Sequence, residues 1–160
     1  MTDQAEIAKL AELLKKFRIA MLTTVTADGS LTSRPMAVQE SEFDGDLWFF
    51  AQRDSDQVQQ LRDNPTVGVA LSSNSAWVSI SGTGELVEDS SKAHQLWNSA
   101  VEAWFPAGPD DPDVVLLRVR ADGAEYWDSP GSKVMTVLSY AKSRLTGKRP
   151  DVGENERVDL

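Results

Sequence analysis

Apolar side chains recur every three or four residues between Asp3 and Arg18. Ile7, Leu10, Leu13, Leu14 and Phe17 fall on one side and Glu6, Lys9, Glu12, Lys15 and Lys16 on the other. That period predicts an amphipathic helix with Thr2 or Asp3 as its cap. At Ile19 the pattern turns strand-like: Ile19 to Thr26 and Leu31 to Val38 flank Asp28-Gly29, and an Asp-Gly pair between two β-rich runs signals a tight hairpin. Asp44-Gly45 precedes a third run, Leu47 to Ala51, and Asp122-Gly123 separates Val114–Val119 from Ala124–Trp127. With Val67 to Leu71 and Ala76 to Val87, about seven strands are expected. Their tight turns favour an antiparallel barrel or sandwich over a parallel sheet.

Three further helices are predicted: Asp54 to Arg62, stopping before Asn64-Pro65; Asp89 to Trp104, with Ala93, Leu96, Trp97, Ala100 and Trp104 at helical spacing; and Ser132 to Leu145. The pattern divides the chain into one domain over residues 1–145 and a polar tail over 146–160, mobile in isolation.

Composition narrows the chemistry. At 160 residues one apolar core suffices. Cysteine is absent, which excludes disulfides, thiolate metal sites and a cysteine nucleophile. His94 is the only histidine, so a multi-histidine metal site cannot form within one chain. Sixteen basic against twenty-five acidic side chains leave a formal charge of −9. That balance opposes nucleic acid and anionic membranes as partners. The start of the chain lacks a signal-peptide pattern and no apolar run approaches a bilayer span, so the cytoplasm is the expected location.

Several small motifs read best as structure. Gly82-Thr-Gly84 lacks the third glycine of a dinucleotide loop and lies within a strand run, which points to a bulge or a crowded strand crossing. Asp110, Asp111 and Asp113 form a proline-stiffened acidic loop without a following glutamate, read as a solvated turn rather than a calcium site. His94 reads as a packed or surface side chain. No residue demands the role of general acid or base, and no catalytic residue is assigned.

Two features speak for a ligand. Three of the five tryptophans, Trp48, Trp77 and Trp127, sit on expected strands, where they offer flat apolar walls to a planar molecule. In Ser33-Arg34-Pro35-Met36 a proline inside a strand marks an edge or bulge, and the adjacent arginine suits an anion such as a phosphate.

In their shared order, these segments resemble the flavin-binding split-barrel family that includes pyridoxamine 5′-phosphate oxidase, and within it the general stress protein branch. The resemblance covers roughly residues 4 to 140. It is carried by Ile19-Ala-Met-Leu-Thr-Thr, Leu31-Thr-Ser-Arg-Pro-Met, Leu47-Trp-Phe-Phe-Ala, Asp54-Ser-Asp-Gln-Val, Asn64-Pro-Thr-Val, Trp77-Val-Ser-Ile-Ser-Gly-Thr-Gly-Glu, Trp104-Phe-Pro-Ala-Gly, Asp110-Asp-Pro-Asp and Glu125-Tyr-Trp-Asp.

The resemblance implies a mainly β fold, a split antiparallel β-barrel with flanking helices, and FMN bound between the subunits of a homodimer. It implies that Ser33, Arg34, Pro35, Met36, Ala37 and Val38 run along the cofactor, with Arg34 nearest the phosphate. Phe50 and Ala51 would close over it. Ser55, Asp56 and Gln57 would grip the phosphate at a helix start, where free N–H groups favour an anion. Trp77 and Trp127 would flank the cofactor, at least one from the partner chain. Two departures stand out. The family commonly carries lysine where this chain has Gln57 and often a basic residue at Asp56, which weakens the hold on phosphate. The substrate-gripping arginine and histidine of the true oxidases have no match near the end of this chain, so vitamin B6 oxidation is not inferred. The expected activity is that of an FMN-dependent oxidoreductase of unknown substrate, the alternative a non-catalytic flavin or planar-cofactor carrier or sensor in stress.

Overall fold

The computed structural model describes residues 4–39, 43–128 and 154–160, the side chains of 154–156 excepted. Helix α1 (Gln4–Leu14) leads into the hairpin of β1 (Ile19–Val25) and β2 (Leu31–Ala37), followed by β3 (Asp46–Gln52), α2 (Asp56–Asp63), β4 (Thr66–Ser72) and β5 (Ala76–Val87). Two short helices, α3 (Ser90–Leu96) and α4 (Ser99–Trp104), precede the long β6 (Val114–Asp128), and β7 (Glu154–Asp159) completes the set. The expected helix from Ser132 to Leu145 lies outside the described residues.

Every described strand pairing is antiparallel. The order is β2-β1-β4-β5-β6-β3, with β7 also on β6. The two end strands, β2 and β3, approach each other without joining in a ladder, as in a barrel left open along one seam. As a proline-bearing strand should, β2 lies at an edge. Strand alternation sends Ala20, Leu22 and Thr24 of β1, Val67, Val69 and Leu71 of β4, and Ala76, Val78 and Ile80 of β5 inward. There they meet Leu10, Leu13 and Leu14 of α1 and Val58 and Leu61 of α2 in one core. Each fully buried aliphatic side chain of this kind contributes about 1.5–3 kcal/mol.

Asp28-Gly29 makes the expected hairpin turn between β1 and β2, though with positive φ at the glycine alone and so not as a type I′ turn. Asp44-Gly45 leads into β3 without joining two paired strands. Gly29 and Gly45 take positive φ, 85° and 110°. The β1–β2 turn is locked by Thr26 N–H donating to the Ser30 carbonyl at 2.8 Å, and by Asp28 Oδ1 accepting from the Thr26 hydroxyl and the Ser30 N–H.

Asp122-Gly123 corrects the pattern. It is not a turn: β6 runs straight through it, paired with β5 from Val87↔Leu116 to Ala76↔Asp128. The register shifts between Ser81 and Gly82, leaving Asp122 as the extra residue of a bulge. The bulge expected at Gly82 is therefore present, and a Cβ there would run into the Arg120 carbonyl oxygen. The bulge also divides the other side of β6, whose first half pairs with β3 and whose second half pairs with β7.

The expected helix from Asp89 to Trp104 is likewise two. Asn98 accepts from Ala100 N–H and Val101 N–H at 3.0 and 3.1 Å, which caps a new helix and breaks the old one. These two helices pack on the far side of the β3–β6 ladder through Ala93, Leu96, Val101, Phe50 and Leu116.

Candidate functional site

Register assigns the expected site residues of β2 to two faces. Arg34 lies opposite Leu22 and Met36 opposite Ala20, both inward positions. Ser33, Pro35 and Ala37 lie opposite Thr23, Met21 and Ile19 on the outward face.

The inward pair meets α2. Half-buried Arg34 donates from Nη1 to Thr24 Oγ1 at 2.7 Å and to the Leu22 carbonyl at 3.4 Å, and from Nη2 to Gln60 Oε1 at 3.1 Å. The same Gln60 oxygen takes the Thr24 hydroxyl proton at 2.6 Å. One turn earlier on α2, Gln57 Nε2 rests 4.0 Å from Met36 Sδ. Burial lowers the Arg34 pKa from its ordinary value, opposed by the nearby Asp56 carboxylate. Among the described residues Arg34 forms no ion pair, and two of its five N–H groups, Nε–H included, keep no partner. Side by side on one edge of the guanidinium, Nε and Nη2 suit a two-oxygen anion.

Ser55 is the N-cap of α2, but its hydroxyl turns back to the Gln52 carbonyl at 2.7 Å instead of capping the helix. The first N–H groups of α2 therefore lack a side-chain partner from their cap, and Asp56 in that turn is exposed. Arg34, Met36, Asp56 and Gln57 thus gather at one end of the sheet. Thr24 and Gln60 complete the group, and neither was singled out from sequence. No motif marks them; only the register of β1 and the i, i+3 spacing from Gln57 bring them there.

The outward residues form a different surface. Ser33 and Thr23 exchange a hydroxyl hydrogen bond of 2.7 Å. Ile19, Met21 and Leu31 are exposed on the same face, as are Trp77 and Trp127, paired in register and 42% and 36% exposed. Between β2 and the tryptophan-bearing β5 lie three strand spacings, roughly 14 Å along the sheet.

The remaining expected residues are spoken for by packing. Phe50 is buried with its ring edge-on to Trp97, centroids 5.4 Å apart, and against Phe105; Ala51 lies in the main core. Val38 is half-buried and its N–H donates to the Arg18 carbonyl at 2.8 Å. Trp48, the third strand tryptophan, has Lys92 and Arg118 over its ring. His94 reaches Asp110 at 2.8 Å, a surface tie between α3 and the acidic loop. Among the described residues, no three His, Cys, Asp or Glu side chains gather as a metal site, and no helix is long and apolar enough to cross a membrane.

Residues 5–151 match the family model described as pyridoxamine 5′-phosphate oxidase like. The chain belongs to the pyridoxamine 5′-phosphate oxidase-like family. Its likeness to Protein bli-3 of Neurospora crassa is 29% identity over 96% of this chain and 79% of that protein. Among solved structures, a Jannaschia sp. CCS1 protein assigned to general stress protein 26 superposes with a TM-score of 0.79, at 25% identity, over 98% of this chain and all of that one. The general stress FMN/FAD binding protein of Xanthomonas citri is 34% identical, with a TM-score of 0.67 over 78% of this chain and 89% of that one. The split-barrel fold and the general stress branch of the pyridoxamine 5′-phosphate oxidase-like family are thus where this chain stands.

Proposed function

We propose that the chain is a homodimeric flavin protein that binds FMN, and that it acts as an FMN-dependent oxidoreductase in the cytoplasm. The single observation that carries this reading is Arg34: a half-buried cation without an ion pair among the described residues, fixed by Thr24 and Gln60, with Nε–H left over for an oxyanion. The donor set around it fits a phosphate. Arg34 supplies the charge, Gln57 a carboxamide N–H held only by a long contact to Met36 Sδ, and the start of α2 backbone N–H groups. When bound, the flavin supplies electron and hydride transfer, and the protein orients it and keeps water out.

The outward face supports the dimer. Its exposed Ile19, Met21, Leu31, Trp77 and Trp127 put five large apolar side chains in solvent on one face of the sheet, as an interaction surface does. Gly68, in the middle of β4 on that face, is not demanded by its own chain, since a Cβ there would meet only ordinary contacts at 3.8 and 3.9 Å. A strand glycine without an internal reason fits the close approach of another surface. Trp77 and Trp127 stand on the outward face three strand spacings from β2, where the β2 edge of a second copy can meet them as an aromatic wall. Along β2, Ser33, Pro35, Ala37 and Val38 border the ligand mainly through backbone, as do Phe50 and Ala51, whose side chains are buried.

A carrier or sensor is the second reading, favoured by the neutral amides and lone cation of the seat, which provide no acid–base group for turnover. Titration of purified protein with FMN, read by flavin absorbance and sedimentation, tests the binding and the dimer together. Saturable uptake by a dimer is expected; no uptake, or a monomer in dilute buffer, overturns the proposal. Reduction by NADH or NADPH followed by reoxidation separates enzyme from carrier.

A further inference from the structure

Asn98 does more than divide α3 from α4. Its carboxamide makes all four hydrogen bonds open to it. Oδ1 accepts from Ala100 N–H and Val101 N–H at 3.0 and 3.1 Å. Nδ2 donates to the Leu96 carbonyl at 3.2 Å and to Gln39 Oε1 at 3.0 Å. Gln39 is the buried partner: it is 7% exposed, and its Nε2 donates back to the Ala37 carbonyl at 3.3 Å. A carboxamide buried so deeply is fixed by the bonds it makes, because leaving one unmade costs the desolvation of that group.

The bond from Asn98 to Gln39 ties two parts of the fold that share no described ladder. Among the described strands β2 pairs with β1, and that ladder ends at Ala37. Val38 then donates its N–H to the Arg18 carbonyl, and Gln39 follows. Asn98 belongs to the other side of the seam, since α3 and α4 are seated through Ala93, Leu96 and Val101 on Phe50 of β3 and Leu116 of β6. We propose that Gln39 and Asn98 are positioning residues for the flavin: their bond straps the end of β2 to the α3–α4 unit and so sets the width of the seam between β2 and β3. The proposal rests on the flavin reading above, in which Ala37, Val38, Phe50 and Ala51 border the ligand. Without the strap, the end of β2 must be ordered as the ligand binds, which subtracts from affinity. Arg34 lies five residues before Gln39, roughly 16 Å of extended chain, so the strap acts on the ligand away from its phosphate.

The experiment is fluorescence-quenching titration with riboflavin and FMN on the wild type, Gln39→Met, Asn98→Ser and the double variant. Methionine fills the place of the glutamine without its bonds, and serine still caps α4 without reaching Gln39. Each single variant should bind both flavins about fivefold more weakly, the size of one lost hydrogen bond. The double variant should be no weaker than either, because one bond can be lost only once. The urea midpoint of Gln39→Met should stay close to that of the wild type, since an apolar isostere leaves no buried carboxamide unmet and exposed Asn98 turns to water. The Val38 amide should exchange faster with solvent in each variant. Unchanged affinity, a loss confined to FMN, or losses that add in the double variant overturn the strap and leave the flavin reading standing. Weakening in step with a lower urea midpoint, or failure of both single variants to fold, makes the bond merely structural and overturns the proposal. A wild type that binds neither flavin overturns the flavin reading and the strap's role with it.

Discussion

Arg34 and Gln60 are joined across the gap between β2 and α2: guanidinium Nη2 donates to Oε1 at 3.1 Å, while that oxygen also accepts the buried Thr24 hydroxyl at 2.6 Å. A flexible cation is thereby held to one orientation before any ligand arrives, which lowers the ordering cost of binding.

Arg34→Ala should weaken FMN affinity at least tenfold, about 1.4 kcal/mol, and leave riboflavin affinity nearly unchanged. Parallel titrations with the two flavins read the difference. Equal loss for both would mean that Arg34 shapes the fold instead of meeting the phosphate.

Gln57→Lys should tighten FMN binding by adding a cation one turn from Gln60, on the face of α2 that touches Met36. Equilibrium dialysis at pH 8 gives the clearest reading, because the dianion dominates there. Looser binding would mean that this face of α2 is turned away from the ligand.

Backbone crowding separates the glycines. Gly82→Ala forces a Cβ against the Arg120 carbonyl and to 3.2 Å from Ala121 Cα, so a loss of about 2 kcal/mol or more is expected in urea unfolding. Gly68→Ala meets only side-chain and carbonyl contacts at 3.8 Å and beyond, and should fold normally. Enlarging that position, in Gly68→Leu, should disperse the proposed dimer in sedimentation without unfolding the chain. A stable dimer of Gly68→Leu would move the interface elsewhere.

The hairpin turn has its own acid response. Asp28, held by Thr26 and Ser30, has its pKa lowered from 3.8 to about 2. A folded-state value below the unfolded one stabilises the chain above the unfolded pKa. This contribution should therefore be complete above about pH 4 and lost as pH falls toward 2. Carboxyl titration by NMR should place the Asp28 midpoint near 2, and Asp28→Asn should remove that part of the acid dependence.

Strands with clear alternation, such as Ile19–Val25 and Ala76–Val87, were legible in sequence because a half-buried sheet writes a period of two. β7 was not, since Glu154–Asp159 holds a single buried apolar residue, Val158, among polar ones. Asp122-Gly123 misled because an Asp-Gly pair also fits a bulge, which requires no positive φ here. The break before α4 was encoded in Asn98, but the apolar spacing carries across it and hides the cap. At the site, Arg34 stood out by type. Thr24 and Gln60 did not, because common residues become partners only through register.

The bulge at Asp122 makes β6 a common spine for two neighbours, β3 on one stretch and β7 on the other, with β5 alongside throughout. Trp127 therefore shares a continuous backbone with the strand that anchors the α3–α4 cap. Lengthening the chain at that kink would swing the indole relative to the first half of β6 while leaving the β3 ladder in place, so the bulge is a mechanical adjustment point for where Trp127 stands.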